Sequence, residues 1–215
     1  MKIRIRANQP PPRKLSVELA ELRDRSADRV ITLREVIYTL QGRAYMLLVL
    51  LLALPFITPV PLPGLSTPFG LAIAVIALRL SLGQRPWLPM KLQRKQLPPG
   101  FFRKVFSVAE RVLHFFERFL RPRLTWFTDT PFLAQLHALL MLIAAVVLLL
   151  PLPVPFTNSF PAWTILLVAA GLLERDGLFI LAGYLVFIAG VFYFIFLGEA
   201  TAALLHELAH WLRAK

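Results

Sequence analysis

Cysteine is absent from the 215 residues, which excludes disulfides and thiolate chemistry and leaves the redox compartment unreadable. Acidic residues are scarce, 12 Asp and Glu against 24 Lys and Arg, for a net charge of +12. From Pro131 onward charge of either sign nearly vanishes, with three basic residues against four acidic. No G-x-x-x-x-G-K-[ST] phosphate loop occurs, so an ATP-driven exporter is poorly supported. A cleavable signal is also missing, because Met1 to Arg43 is polar, with no apolar stretch ahead of a small-residue cleavage site.

What is present is apolar. The chain is 57% hydrophobic with a mean hydropathy of +0.65, and its expected class is an α-helical membrane protein. Ala44 to Ile57, Phe69 to Leu78, Pro131 to Leu150, Ala162 to Leu173 and Leu178 to Leu197 are almost free of charge. Only the third and the last approach the ~20 residues that cross hydrocarbon as straight helices. The basic residues concentrate in two blocks: Met1 to Arg43 holds ten against five acids, and Gln84 to Thr130 holds ten against three. Blocks that flank apolar segments fit the positive-inside rule better than nucleic-acid binding. Both are expected to face the cytoplasm and to attract anionic lipid headgroups.

The expected organisation is a basic tail and amphipathic segment over 1–30, a membrane repeat over 31–83, a basic cytoplasmic linker over 84–130, a second membrane repeat over 131–177, and a last membrane helix with a C-terminal extension over 178–215. Within the linker, 101–120 reads as a helix lying in the interface or packed on the bundle. Its charged pairs Arg103/Lys104, Glu110/Arg111 and Glu117/Arg118 recur every seven residues around an apolar stripe that includes Phe102, Phe106 and Phe116.

The repeats rest on a shared pattern. "PVPLP" (59–63) and "PLPVP" (151–155) each follow an apolar helix and precede a small polar cluster, a further proline (Pro68, Pro161), and a short apolar run with a charged end. Alternate prolines force extended backbone, which survives at membrane depth only inside protein or against water. A surface loop and a re-entrant, broken-helix hairpin both satisfy that condition; the short flanking helices favour the hairpin. Paired broken helices of this kind recur at transport sites. Ser66 and Thr67, and likewise Asn158 and Ser159, are expected to cap the helix starts and meet an anionic substrate there, though capping beside a loop accounts for them equally. Arg79, flanked by "IAL" and "LSL", is expected to join that site. Glu174, Arg175 and Asp176 interrupt apolar sequence and are candidates for an ion pair or proton relay, with Arg79 and Glu174 as a cross-repeat pair; a polar turn between helices is the plain alternative.

"HELAH" (206–210) matches the H-E-x-x-H pattern. A third zinc ligand would normally lie downstream, where only five residues follow, so a metal site at His206, Glu207 and His210 is not favoured. Glu199, His206, His210 and Arg213 read as the polar face of a helix leaving the membrane. No metal or other cofactor is expected.

These segments resemble a known family. "LG-x-x-PWLP" (Leu82 to Pro89), "RPRL" (Arg121 to Leu124) and "GLLERDG" (Gly171 to Gly177), within a match from Val30 to Leu197, are similar to the ExoD exopolysaccharide-synthesis family of bacterial inner-membrane proteins. The proline-turn repeat is similar, more loosely, to DedA-type membrane proteins with re-entrant hairpins. The resemblance implies a multi-pass membrane protein tied to exopolysaccharide production and supplies no reaction. The expected role is therefore non-enzymatic: transport or handling of a lipid-linked anionic intermediate of polyprenyl-phosphate type. A non-transporting scaffold for synthesis enzymes is the alternative and a membrane enzyme the third reading. Expected partners are membrane lipids and that substrate, with a homo-oligomer admitted.

Overall fold

The computed structural model describes residues 43–58, 64–84, 111, 118–150, 154 and 156–213, with side chains omitted at 44, 200 and 202–213. The N-terminal segment, most of the 101–120 helix and most of both proline runs lie outside the described residues. Two compact units divide the chain, Met1–Tyr45 with Leu88–Phe119, and Met46–Trp87 with Leu120–Lys215. The described residues fall almost wholly in the second, and that unit is the one treated below.

It is helical, with no strand among the described residues. The order is α1 (Arg43–Ala53), a 3-10 turn (Leu54–Phe56), α2 (Ser66–Ser81), the short α3 (Thr125–Asp129), α4 (Pro131–Leu148), α5 (Ser159–Glu174) and α6 (Gly177–Arg213). Among the described residues, two helical segments are long and apolar enough to cross a membrane, Pro131–Leu148 and Gly177–Glu199. Tyr45–Phe56, Ser66–Ser81 and Ser159–Glu174 are apolar but shorter.

Proline sets three of the helix starts. Pro131 opens α4, and Pro68 and Pro161 stand third in α2 and α5, positions whose amides have no intrahelical partner to lose. The caps expected from Ser66, Thr67, Asn158 and Ser159 are not made. The N-cap positions are Leu65 and Asn158, neither with a side-chain cap bond. Ser66 and Ser159 sit one residue inside, where a hydroxyl no longer faces the free amides. At α5 the backbone does the capping: Phe156, with φ of 66°, offers its carbonyl to the amides of both Ser159 and Phe160 at 3.0 and 3.2 Å.

The packing follows from which residues are small. α2 lies antiparallel on α4, with Gly70 beside the Ala145 carbonyl and Leu149, and Gly83 beside Gln135. α5 and α6 run antiparallel, with Gly171 against Ile180, Gly183 against Thr164 and Val168, and Gly190 against Phe160. α5 is the central element, with Pro161, Ala162, Thr164 to Leu166 and Val168 to Gly171 buried. A Cβ on Gly183 would stand 2.6 Å from Val168 Cγ2. Gly183→Val is therefore expected to force α6 off α5 and cost about 1–3 kcal/mol, read as a lower melting temperature of the purified protein; an unchanged melting temperature would show that the contact has slack.

The outer faces are apolar too. Leu71, Val75, Leu78 and Leu82 on and just beyond α2, Phe132, Leu136, Leu139, Ile143 and Val146 on α4, and Leu178, Leu181, Leu185, Ile188, Phe192 and Ile195 on α6 are all exposed. Their spacing of three and four residues draws one continuous exposed stripe along each helix.

Candidate functional site

Polar side chains gather at the two ends of this unit, and the ends differ in kind. One, called the base, is where α2 and α5 finish and α4 and α6 begin. Its centre is Asp176, which has 0% exposure. One carboxylate oxygen accepts the Arg121 amide at 3.0 Å and the other accepts the Leu178 amide at 3.0 Å, while the Gly177 amide donates to the Arg123 carbonyl at 2.8 Å. Asp176 thus caps α6 and ties it to the segment before α3. A negative charge at that helix start is further favoured by the aligned peptide dipoles. Arg175 adopts a left-handed conformation, φ 57°, which ends α5 and turns its side chain toward Asp129, 3.7 Å away. Both partners are half exposed, so this pair adds little stability.

Arg79 occupies the last turn of α2 and Glu174 the last position of α5, which puts both at the base. Arg121 and Arg123 are exposed, and so are Leu124, Trp126 and Phe132. Thr128, by contrast, is enclosed and donates to the Thr125 carbonyl at 2.9 Å.

His137 lies just above the base and was not among the expected site residues. It has 0% exposure; Nε2 stands 3.1 Å from the Phe127 carbonyl and Nδ1 3.1 Å from the Tyr184 hydroxyl. A carbonyl only accepts, so Nε2 carries the proton, Nδ1 accepts, and Tyr184 donates. Neutral imidazole is fully satisfied in this way and ties α4 to α3 and α6. A lone His in an apolar run gave no hint of it.

The other end, the junction, is where the two chain breaks meet. Ser159 Oγ donates to the Thr58 carbonyl at 3.0 Å and Trp163 Nε1 to the Ile57 carbonyl at 3.1 Å. Phe69, in the first turn of α2, packs edge-on against buried Phe56, with ring centroids 5.8 Å apart. The starts of α2 and α5 therefore flank a single turn, Leu54 to Thr58. Ser66 is buried there, Thr67 is exposed and Asn158 is half-buried. Arg79 does not join them: it stands 13 positions along α2 from Ser66, about 20 Å at 1.5 Å per residue. The site that groups Arg79 with the helix starts is thus not assembled.

His206, Glu207 and His210 fall on the continuous helix α6, and their side chains lie outside the description. Among the described residues no group of three His, Asp or Glu is placed to hold a metal ion.

The base brings together two of the motif elements, "RPRL" and "GLLERDG", through Asp176 and Gly177. The profile described as "Exopolysaccharide synthesis, ExoD" matches residues 15–196. The chain belongs to the ExoD family. Protein ExoD of Rhizobium meliloti (strain 1021) is 34% identical over 182 residues, covering 84% of this chain and 76% of that protein. The uncharacterized protein slr1875 of Synechocystis sp. is 29% identical over 194 residues, covering 86% of this chain and 89% of its own length. No solved structure gives a significant match. In this ExoD-family member the clasp at the base lies within the matched region, and the end of α6 lies beyond it.

Proposed function

We propose that this ExoD-family chain is a multi-pass protein of the bacterial inner membrane that handles, and moves between leaflets, a lipid-linked anionic intermediate of polyprenyl-phosphate type. Family membership implies a part in exopolysaccharide synthesis; the membrane and substrate readings rest on the residues. A water-soluble protein rarely leaves long apolar stripes uncovered, and three helices here do so. On this reading the N-terminus and the 84–130 linker are cytoplasmic, and the base faces the same side. α1–α2 and α4–α5 are two related hairpins that enter from there and turn back at the junction. The level of that turn supports a re-entrant form: Phe160 stands opposite Gly190, and α6 continues apolar from Val191 to Leu197, about 10 Å further.

The observation that carries the substrate reading is the separation of charge. Arg79, Arg121, Arg123 and Arg175 lie at the base with Asp129, Glu174 and Asp176, whereas no charged residue occurs from Ala44 to Leu78 or from Pro131 to Leu173. A phosphate at headgroup level meets arginines at the base and none at the junction. Each basic residue near such a surface contributes about 1 kcal/mol. Exchanging Arg121 and Arg123 for Glu is expected to slow protein-dependent transbilayer movement of a short-chain polyprenyl phosphate in liposomes by at least thirty-fold, roughly 2 kcal/mol. Movement no faster than in protein-free vesicles for the unaltered chain would sink the transport reading. Equal rates for the chain and the double variant would remove the arginines from it.

A further inference from the structure

The start of α2 encloses a hydroxyl that has nothing to bond. Ser66 is 1% exposed, and its Oγ has no hydrogen-bond partner. Its counterpart at the start of α5, Ser159, is also buried but donates to the Thr58 carbonyl. Leaving a buried hydroxyl unpaired is costly, and native structures rarely do so without a reason. Because Cα–Cβ bonds tilt toward the helix N-terminus, the Ser66 hydroxyl leans out of the first turn into the junction. Asn158, at the head of α5, brings a second such atom: its Oδ1 is buried and also lacks a partner.

The chemistry of these groups selects the ligand. A phosphate needs donors and a counter-charge. The α5 end has few donors, since the amides of Ser159 and Phe160 both go to the Phe156 carbonyl and Pro161 has no amide hydrogen to give, which leaves the Asn158 side-chain amide. No Lys, Arg or His occurs from Tyr45 to Leu78 or from Ala138 to Leu173. An anion at the junction would find no counter-charge on these segments and would be turned toward the Asn158 carbonyl oxygen. A hydroxyl group, in contrast, both accepts and donates. We infer that the junction between the starts of α2 and α5 binds a neutral, hydroxyl-bearing group of the sugar class, with Ser66 Oγ donating to it and Asn158 Oδ1 accepting from it. This site is separate from the phosphate docking at the base.

Trp163, whose indole bonds the same turn, reports on the site once Trp87, Trp126 and Trp211 are changed to Phe. The protein is placed in lipid nanodiscs free of glycoside detergent and titrated with hexyl glucoside and, separately, hexyl phosphate. The expected result is a saturable Trp163 fluorescence change with the glucoside, at least ten-fold tighter than with the phosphate. Ser66→Ala should weaken glucoside binding about five- to ten-fold, the worth of one hydrogen bond. The same variant should melt no lower than its parent, because it removes an unpaired oxygen and little volume. Hexyl phosphate binding as tightly as the glucoside, no saturable response, or unchanged binding in a folded Ser66→Ala protein would each overturn the inference; the last two outcomes leave water as the natural occupant. Loss of the glucoside response with phosphate-lipid movement intact overturns this inference alone. The reverse pattern overturns only the function proposed above.

Discussion

Asp176→Ala is expected to be the most damaging single change in the base. The carboxylate is fully enclosed and accepts two backbone amides, one from Arg121 and one at the start of α6. Removing it takes away the cap bond to the Leu178 amide, worth about 0.5–2 kcal/mol, and leaves the part-buried Arg121 amide without its acceptor, about 1–3 kcal/mol. The sum is about 2–5 kcal/mol, toward the lower end where water reaches the vacated space. Asp176→Asn keeps one acceptor oxygen in place of two and should fall between the two proteins. Thermal unfolding of the purified protein tests both. A melting temperature for Asp176→Ala within a degree or so of the parent would mean that the clasp is not what joins α6 to the Arg121–Leu124 segment.

The second large effect is expected at His137. His137→Leu keeps roughly the bulk of the ring but leaves the Phe127 carbonyl and the Tyr184 hydroxyl without partners, a loss of about 2–4 kcal/mol. Tyr184→Phe alone should cost less, about 1 kcal/mol, because Nδ1 loses one bond and nothing else moves. Since Nδ1 and the hydroxyl serve each other, the two changes share a penalty, and the double variant should be less damaged than the separate losses add up to. Strict additivity in such a double-mutant cycle would show that the 3.1 Å contact carries no coupling.

These residues also show where sequence reading reached and where it stopped. The long apolar segments were legible because crossing hydrocarbon demands length and apolarity together, both of which are local. Pro131–Leu148 and Gly177–Glu199 appear close to where composition places them. The shortness of α2 and α5, and the prolines in their first turns, were legible for the same reason. "RPRL" and "GLLERDG" stood out as motifs, but 55 positions separate Arg121 from Asp176, and nothing local announces that the carboxylate of one motif serves the backbone of the other. Asp176 therefore read as a charge to be explained by chemistry, and the structure gives it a cap and a cross-link. The contact between His137 and Tyr184, 47 positions apart, was invisible on the same ground.

At the helix starts, serine and asparagine before an apolar run were read correctly as marking the ends of α2 and α5. Their roles were not, because a shift of one residue turns a cap into an interior side chain. Pairing Arg79 with Ser66 failed for a simpler reason: a helix separates its ends by 1.5 Å per residue, so membership of one short helix does not imply membership of one site. Sequence by itself determined the helical class, the two long apolar segments, the shorter proline-started ones, and the clustering of charge, since each depends on composition within a few turns of chain. Tertiary structure decided that the two breaks meet, that the charged residues share an end remote from that meeting, and that Ser159 is bonded while Ser66 is not. Those facts depend on which helices lie antiparallel and in what register, and register is set by the small residues of two distant segments meeting face to face.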